Sequence, residues 1–472
     1  MCIKSRADFC LIGYLKNIAY YDIIIRCFKT LKEISAMFFQ KDIETMSRAE
    51  IEEIQLKKLK ALVKYCMDNV PFYNKRLTEA GVNDDKIKQL SDIQYIPYTT
   101  KADMRDTYPF GLFAQPLKNI TRIHASSGTT GKPTVVGYTK GDLDMWSDCM
   151  ARLVMAAGAT DESIVQICFG YGLFTGALGL HYALEKIGAT VIPSSSGNTE
   201  KQIMLMQDFG TDTLVSTPSY AQYIGELANE KGVLDKINLK LGLLGSEGCT
   251  VEMRDQIEKT LGMFVTDNYG MSELMGPGVS GECEERCGMH INEDHFLAEI
   301  IDPNTGDVLD RGSEGELVVT TLSKEGIPIL RYRTKDITEI DYEPCKCGRT
   351  MARMAKPRGR SDDMLKIRGV NVFPSQIESV LMGFDEVAPH YQLILTRSNF
   401  ADHLEIKVEL SNTISHEMIE NYPKLEELHN RITHDMKTVL GIQTKITLVD
   451  FGSLERFAGK AKRIVDLRNE GK

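Results

Sequence analysis

The residues best equipped for chemistry lie between Ser126 and Thr134, where the chain reads Ser-Ser-Gly-Thr-Thr-Gly-Lys-Pro-Thr. Glycine lets backbone N–H groups approach an anion. The hydroxyls of Ser126, Ser127, Thr129 and Thr130 can donate to it and Lys132 supplies a point charge, so the run suits a polyphosphate. It is not a Walker loop, because Gly128 and Gly131 are wrongly spaced and Pro133 replaces the magnesium-binding hydroxyl. A polar hairpin turn is the plainer alternative, and it accounts poorly for so many phosphate-binding residues in so short a run.

A second glycine-rich run, from Gly170 to Gly176, has the outline of a dinucleotide fingerprint. Thr175 stands where the third glycine belongs, and the next apolar stretch ends in Pro193 and three serines without an acidic residue, which disfavours a nicotinamide oxidoreductase. Asp362 and Asp363 are adjacent, and neighbours in an extended chain point to opposite faces, which argues against a shared metal. The cysteines give a better metal signal. Cys283, Cys287 and His290 lie upstream of Cys345 and Cys347, and soft thiolates with an imidazole suit tetrahedral zinc. The expected ligands are Cys283, His290, Cys345 and Cys347, with Cys287 as the substitute and reduced surface thiols as the alternative reading. All lie in turn-rich sequence away from the phosphate-binding run, so the expected role is structural, stapling two loops of one lobe.

Composition bounds the elements that must position these groups. The chain has 472 residues, 42% hydrophobic and 26% charged, which fits a folded protein of about three units, or one large unit and one small. A net charge of −10 argues against a general nucleic-acid binder. Eleven cysteines, mostly scattered, point to a reducing cytoplasm and not to a disulfide framework. The apolar run 9–15 is flanked by charge and lacks a cleavage site. The run 164–180 holds four glycines and Gln166, so neither reads as a signal or a membrane span, and a soluble protein is expected.

Residues 1–36 read as a loosely attached extension. Apolar spacing over 51–65 is helical. Strands expected at 163–169, 189–192, 213–216, 240–244 and 263–267 alternate with helices such as 199–209 and 251–261, the pattern of an α/β domain with a largely parallel sheet. Short strands at 296–301, 315–321 and 338–341 make a β-rich lobe. A separate small α+β unit follows Asp362, with strands at 391–396, 403–410 and 444–449, a helix over 414–440 and a glycine- and lysine-rich final loop. The domains are thus an extension, 1–36, a large domain, 37–361, and a small one, 362–472.

With these pieces in order, the chain from about Phe38 onward resembles the adenylate-forming superfamily of acyl-CoA synthetases, luciferases and peptide-synthetase adenylation domains, and within it the phenylacetate–CoA ligase family. After the Ser126 loop come Gly-Ser-Glu-Gly ending at Gly248 and Asp-Asn-Tyr-Gly-Met-Ser-Glu ending at Glu273. Arg-Tyr-Arg-Thr-Lys-Asp ends at Asp336, Gly-Arg-Ser-Asp-Asp-Met-Leu-Lys ends at Lys366, and Gly-Lys-Ala-Lys-Arg closes the set at Arg463. The runs 171–176, 197–199 and 369–374 are similar to the aryl-acid branch. Two departures stand out. Lys335 sits where the superfamily usually has glycine, and Glu455 and Phe457 occupy a stretch that usually carries a proline before Gly459.

The resemblance implies a large domain that binds ATP and acid and a small mobile domain pivoting at Asp362. It implies attack of the acid on the α-phosphate of ATP, release of pyrophosphate, and then attack of coenzyme A on the acyl-adenylate with release of AMP. In that scheme Ser127, Gly128, Thr129, Thr130, Gly131 and Lys132 hold the β- and γ-phosphates. Glu273 binds Mg2+ with Ser272 beside it, and Tyr269 stacks on adenine. Ser246, Glu247 and Gly248 line the nucleotide edge, with Asp267, Gly270 and Met271 in the neighbouring signature. Asp336 accepts from both ribose hydroxyls, Arg360 reaches ribose or phosphate, and Lys460 bridges the acid and the α-phosphate. Lys366 and Gly369 face the coenzyme A channel in a second orientation. Tyr171, Phe174, Gly176 and Ala177, with residues of 216–220, are expected to form an apolar aryl pocket. The implied ligands are ATP, Mg2+, coenzyme A as co-substrate, structural Zn2+ and a small aromatic carboxylic acid. No nucleic acid or membrane is expected, and a homodimer is the oligomer considered. Two other functions stay open: an adenylyl transferase that stops at a stable AMP conjugate, like related enzymes acting on a deazaflavin cofactor, and an ATP-binding regulatory protein weakened by Lys335.

Overall fold

The structure, a computed structural model, describes residues 38–126, 133–362, 365–367, 370–398, 401–412, 414, 422–457 and 463–468. The expected extension 1–36, the phosphate-binding residues 127–132, Gly369 and Lys460 lie outside the described residues. Lys366 is described by its backbone, on the strand Leu365–Ile367.

The large lobe is organised by a nine-stranded sheet. Its order is Ile340–Asp341, Arg353–Met354, Met289–Ile291, Gly276–Glu282, Phe264–Met271, Leu241–Gly245, Thr213–Ser216, Ile164–Ile167, Thr190–Ile192. From Thr190–Ile192 to Phe264–Met271 the strands are parallel. Beyond that strand every pairing is antiparallel. The five expected strands all form, with shifted ends, but the sheet is parallel over only half its width. The change comes where Phe264–Met271 folds straight back into Gly276–Glu282 instead of crossing over by a helix. Parallel strands need cover on both faces, and Leu241–Gly245 is buried at every residue. The covering helices start at the side-chain caps Thr139, Thr217 and Thr250 and stop at the left-handed glycines Gly188, Gly210 and Gly262, so their lengths are set locally.

A four-stranded antiparallel sheet, ordered Phe296–Ile301, Gly315–Thr321, Tyr332–Thr338, Gly359–Arg360, forms the β-rich lobe. The motif ending at Asp336 therefore lies on a strand that the sequence reading did not assign. Burial alternates along it, with Tyr332, Thr334, Asp336 and Thr338 inside. Arg331, just before it, is almost wholly buried and fully engaged. Its guanidinium donates to Glu299 at 2.8 and 3.0 Å, to the carbonyls of Gln94 and Ile96, and to the Tyr98 hydroxyl. The first arginine of the motif thus ties the segment 94–98 to the lobe.

The chain's single tryptophan, Trp146, stacks on Tyr138 in the main core with centroids 5.1 Å apart. A Cβ at Gly179 would lie 2.6 Å from that indole, so only glycine lets the helix Gly176–Ile187 come this close. The small lobe has its own core, including Leu393, Ile406, Val408, Leu428, Ile432 and Met436. Those residues join a four-stranded sheet to the helix Tyr422–Leu440, which describes part of the expected 414–440 helix. Among the described residues, no helix is long and apolar enough to cross a membrane.

Candidate active site

Three elements meet at the carboxylate of Asp336. Tyr269, near the end of the strand Phe264–Met271, donates its hydroxyl proton to Oδ2 at 2.5 Å. Arg360, on the last strand before the small lobe, reaches Oδ1 with Nη1 at 3.4 Å and holds Asp362 through Nε and Nη2 at 2.9 and 3.0 Å. Burial, and then the charge of Asp336, push the Tyr269 phenol well above its ordinary range, so it remains a donor. Tyr269, expected to stack on adenine, thus has its hydroxyl committed to Asp336. Lys335, next to it, has φ +70°, the left-handed backbone that its glycine counterpart would adopt freely. Its ammonium lies 3.4 Å from the buried Glu316, which also pairs with Arg333.

Glu273 and Arg360 share a cavity of about 350 Å³ with Tyr332, Lys101 and Asp362. The Glu273 carboxylate is largely buried and has Lys101 Nζ 3.9 Å from Oε1, while its backbone carbonyl accepts from the buried Lys324 at 3.3 Å. An acidic side chain at the wall of a small polar cavity is suited to a divalent cation carried in with phosphate. Ser272 is 3.3 Å, oxygen to oxygen, from Thr175, which links this signature to the loop before the helix Gly176–Ile187. Gly270 sits at a bulge, where an added Cβ would lie 1.9 Å from the carbonyl oxygen of Gly276. Met271 also lines the cavity.

The other nucleotide-edge candidates divide. Ser246 has φ +76°, and Glu247 accepts from the Ser219 N–H at 2.8 Å, in the first turn of the helix Pro218–Glu230. Gly248 borders a wide cleft between the lobes. Asp267 instead faces an internal ion network. Its N–H donates to Glu282, which Arg254 holds, and its carboxylate lies 3.3 Å from Lys356 Nζ. In the acid-pocket run, Tyr171 faces His181 Nδ1 at 3.0 Å, and His181 Nε2 is 3.1 Å from Glu185. Phe174 is 53% exposed, Gly176 opens the helix, and Ala177 is buried in the main core. Tyr220, from the 216–220 run, is packed in a secondary core.

The expected metal ligands do converge. One donor atom from each of Cys283, His290, Cys345 and Cys347 falls within a cluster no wider than 4.8 Å, and all four residues are buried. Cys283 and Cys345 are 3.8 Å apart, and Cys347 Sγ is 3.4 Å from His290 Nε2. Cys287 is exposed, 3.3 Å from Cys345 and bonded by Arg353.

Comparison with known proteins decides the family. Residues 30–323 match the AMP-binding enzyme family and residues 369–468 match the AMP-binding enzyme C-terminal domain. A phenylacetate-coenzyme A ligase of Thermus thermophilus is 48% identical, over 92% of this chain and 100% of that relative. One from Escherichia coli is 47% identical, over 90% and 97%. The chain belongs to the phenylacetate-coenzyme A ligase family. It is an AMP-forming acid–thiol ligase that uses ATP and coenzyme A and works through an acyl-adenylate. A solved 2-hydroxyisobutyryl-CoA ligase in its postadenylation state, with 2-HIB-AMP, is 28% identical and gives a TM-score of 0.86 over 92% of this chain and 93% of its own. In the thioesterification state, with coenzyme A, the same ligase gives 0.67 over the same shares. Identity and coverage are the same in the two comparisons.

Burial raises the Asp267 carboxyl to about 6, against the pull of Lys356. A carboxyl raised above its ordinary value binds protons more readily folded than unfolded, so its contribution to stability falls as pH rises from about 4 through 6. Relative to Asp267→Asn, the parent should therefore lose about 2 kcal/mol of unfolding free energy between pH 4.5 and 7.5. Denaturant unfolding at the two pH values measures this, and a pH-independent difference contradicts it.

Proposed function

We propose that this ligase activates a phenylacetate-like aromatic acid, with the cavity between Glu273, Tyr332, Arg360 and Asp362 as the seat of the α-phosphate end of ATP. The observation that carries the reading is the joint approach of Tyr269 and Arg360 to Asp336 beside that cavity, in a chain 45–48% identical to phenylacetate-coenzyme A ligases. The division into large domain, hinge at Asp362 and small domain from 362 onward is part of the proposal.

A carboxylate repels nucleophiles, and joining it to AMP gives it a leaving group. Asp336 would accept from the ribose hydroxyls while Tyr269 and Arg360 hold its two oxygens, which fixes the ribose and hence the α-phosphate. Arg360 and Lys460 would stabilise the charge that moves from the acid oxygen to pyrophosphate. The residues 127–132 would hold the departing phosphates, with Ser246, Glu247 and Gly248 along the base. Glu273 would hold magnesium, which when bound neutralises charge on the phosphates. In the second orientation Lys366 and Gly369 would face coenzyme A. The aromatic ring would meet Phe174, Gly176 and the ring of Tyr171. The Tyr171 hydroxyl faces His181, so the residue offers carbon to the substrate, which favours an unsubstituted ring over a hydroxylated one. The expected assay is acid-dependent ATP–pyrophosphate exchange without coenzyme A. Phenylacetate should support it best, and a ring-hydroxylated analogue should be about tenfold weaker. Preference for the hydroxylated acid, or no exchange with any aromatic acid, overturns the reading.

The cysteine cluster is proposed to hold structural zinc. Four donors around zinc at about 2.3 Å for sulfur stand about 3.8 Å apart, the Cys283–Cys345 spacing, and the shorter bond to nitrogen suits the 3.4 Å Cys347–His290 contact. Metal analysis should find one zinc per chain. The double variant Cys345→Ser, Cys347→Ser should lose it and melt at a lower temperature, while each folded molecule keeps most of its turnover. Undiminished metal content in that variant removes the assignment.

A further inference from the structure

The sequence departs from its superfamily just before Gly459, where Glu455 and Phe457 occupy the stretch that would carry a stiffening proline. The structure supplies another constraint there. Glu409 is wholly buried on the strand Ala401–Leu410, and its carboxylate gathers four donors from the turn that precedes Gly459. The N–H groups of Gly452 and Leu454 donate at 2.9 and 3.0 Å, and Arg456 Nη1 and Nη2 donate at 2.9 and 2.5 Å. A bidentate pair of this kind fixes the plane of the guanidinium as well as its position.

The remaining edge of that guanidinium faces the large lobe. Arg456 Nε is 3.9 Å from Glu226 Oε2, and His390 Nε2, also from the small lobe, lies 3.1 Å from each Glu226 oxygen. Glu226 stands on the helix Pro218–Glu230, whose Ser219 N–H holds Glu247 at the nucleotide edge. About two helical turns therefore separate a contact with the small lobe from a contact with the base-binding rim. Elsewhere across the lobes, Ser379 donates to Glu252, Gln256 donates to the Met382 carbonyl, Ser375 donates to the Arg358 carbonyl, and the charge of Arg463 acts on Glu247.

We propose that Glu409, Arg456 and Glu226 form an ionic bridge across the lobes, joined by His390, and that Glu226 is a positioning residue for adenylation. The bridge seats the segment that runs on, four residues after Arg456, to Lys460. It rests on the proposed role of Lys460 and on the proposed mobility of the small lobe, since a lobe that swings away would take Arg456 and His390 from Glu226. Glu226 thus favours the first half-reaction and has no part in the second.

The test measures both half-reactions on the full chain. Glu226→Gln should lower the kcat of acid-dependent ATP–pyrophosphate exchange by roughly 3- to 30-fold with little change in the KM of ATP or acid. Thioester formation from supplied acyl-adenylate and coenzyme A should stay at or above the parental rate. Glu226→Asp, which keeps the charge, should recover part of the exchange. Adding Glu226→Gln to Arg456→Gln should cost less than it does alone, since the two residues act through one contact. Unchanged exchange in Glu226→Gln, equal loss in both half-reactions, or full additivity with Arg456→Gln overturns the bridge. If the parent itself shows no exchange with any acid, the functional reading fails, and the bridge as a device for adenylation fails with it.

Discussion

A carboxylate held from two sides decides the geometry of this ligase. Asp336 takes a proton donor from the nine-stranded sheet through Tyr269 and a guanidinium from the strand that leads into the small lobe through Arg360. It belongs itself to the β-rich lobe, so the two sheets and the junction between lobes are registered against one side chain. That arrangement demands backbone features elsewhere. Gly270 must pass within a Cβ's reach of the Gly276 carbonyl, and Lys335 must adopt a left-handed conformation beside Asp336. An L side chain in that region costs roughly 1–2 kcal/mol. The strand tolerates it because its neighbours are over-determined: Arg331 has every edge of its guanidinium engaged, and Arg333 and Lys335 both face the buried Glu316.

Such buried ion pairs are poor sources of net stability, since desolvation opposes the attraction, but removing one partner strands the other. Their effect here is positional. Arg331 fixes the segment before the β-rich lobe, Arg254 and Lys356 hold the charges beneath the signature strand, and Arg456 with Glu409 shapes the turn ahead of the last motif. The cavity at Glu273 is itself lined mostly by polar and charged side chains, among them Lys101, Arg333, Lys335, Arg360 and Asp362.

The motifs were legible because phosphate and carboxylate chemistry needs particular residue types at fixed spacing. The convergence of Cys283 and His290 on Cys345 and Cys347 could be read from ligand softness alone, although more than fifty residues separate the two pairs. The alternation of strands and helices located the parallel half of the main sheet. What sequence did not reveal was where charge would be neutralised. Nothing local marks Arg331 as an anchor and Asp336 as a meeting point within one six-residue motif, because the partners Glu299 and Tyr269 lie over thirty residues away. The strand through that motif was missed because three charged residues interrupt its apolar pattern. Asp267 reads like its signature neighbours, yet Glu282 and Lys356 draw it beneath the sheet. Glu226, Arg456 and His390 carry no motif at all; only the packing of the lobes brings them together.

The decisive contact is the one proposed between Asp336 and the ribose of the nucleotide. Calorimetric titration with ATP and with 2′,3′-dideoxy-ATP, for the parent and for Asp336→Asn, separates that contact from general damage to the site. The parent should bind ATP more tightly than the dideoxy analogue, and Asp336→Asn should lose about 1.5–3 kcal/mol of ATP affinity while binding the analogue about as well as the parent does. Equal losses for both nucleotides, or an unchanged ATP affinity, would contradict it.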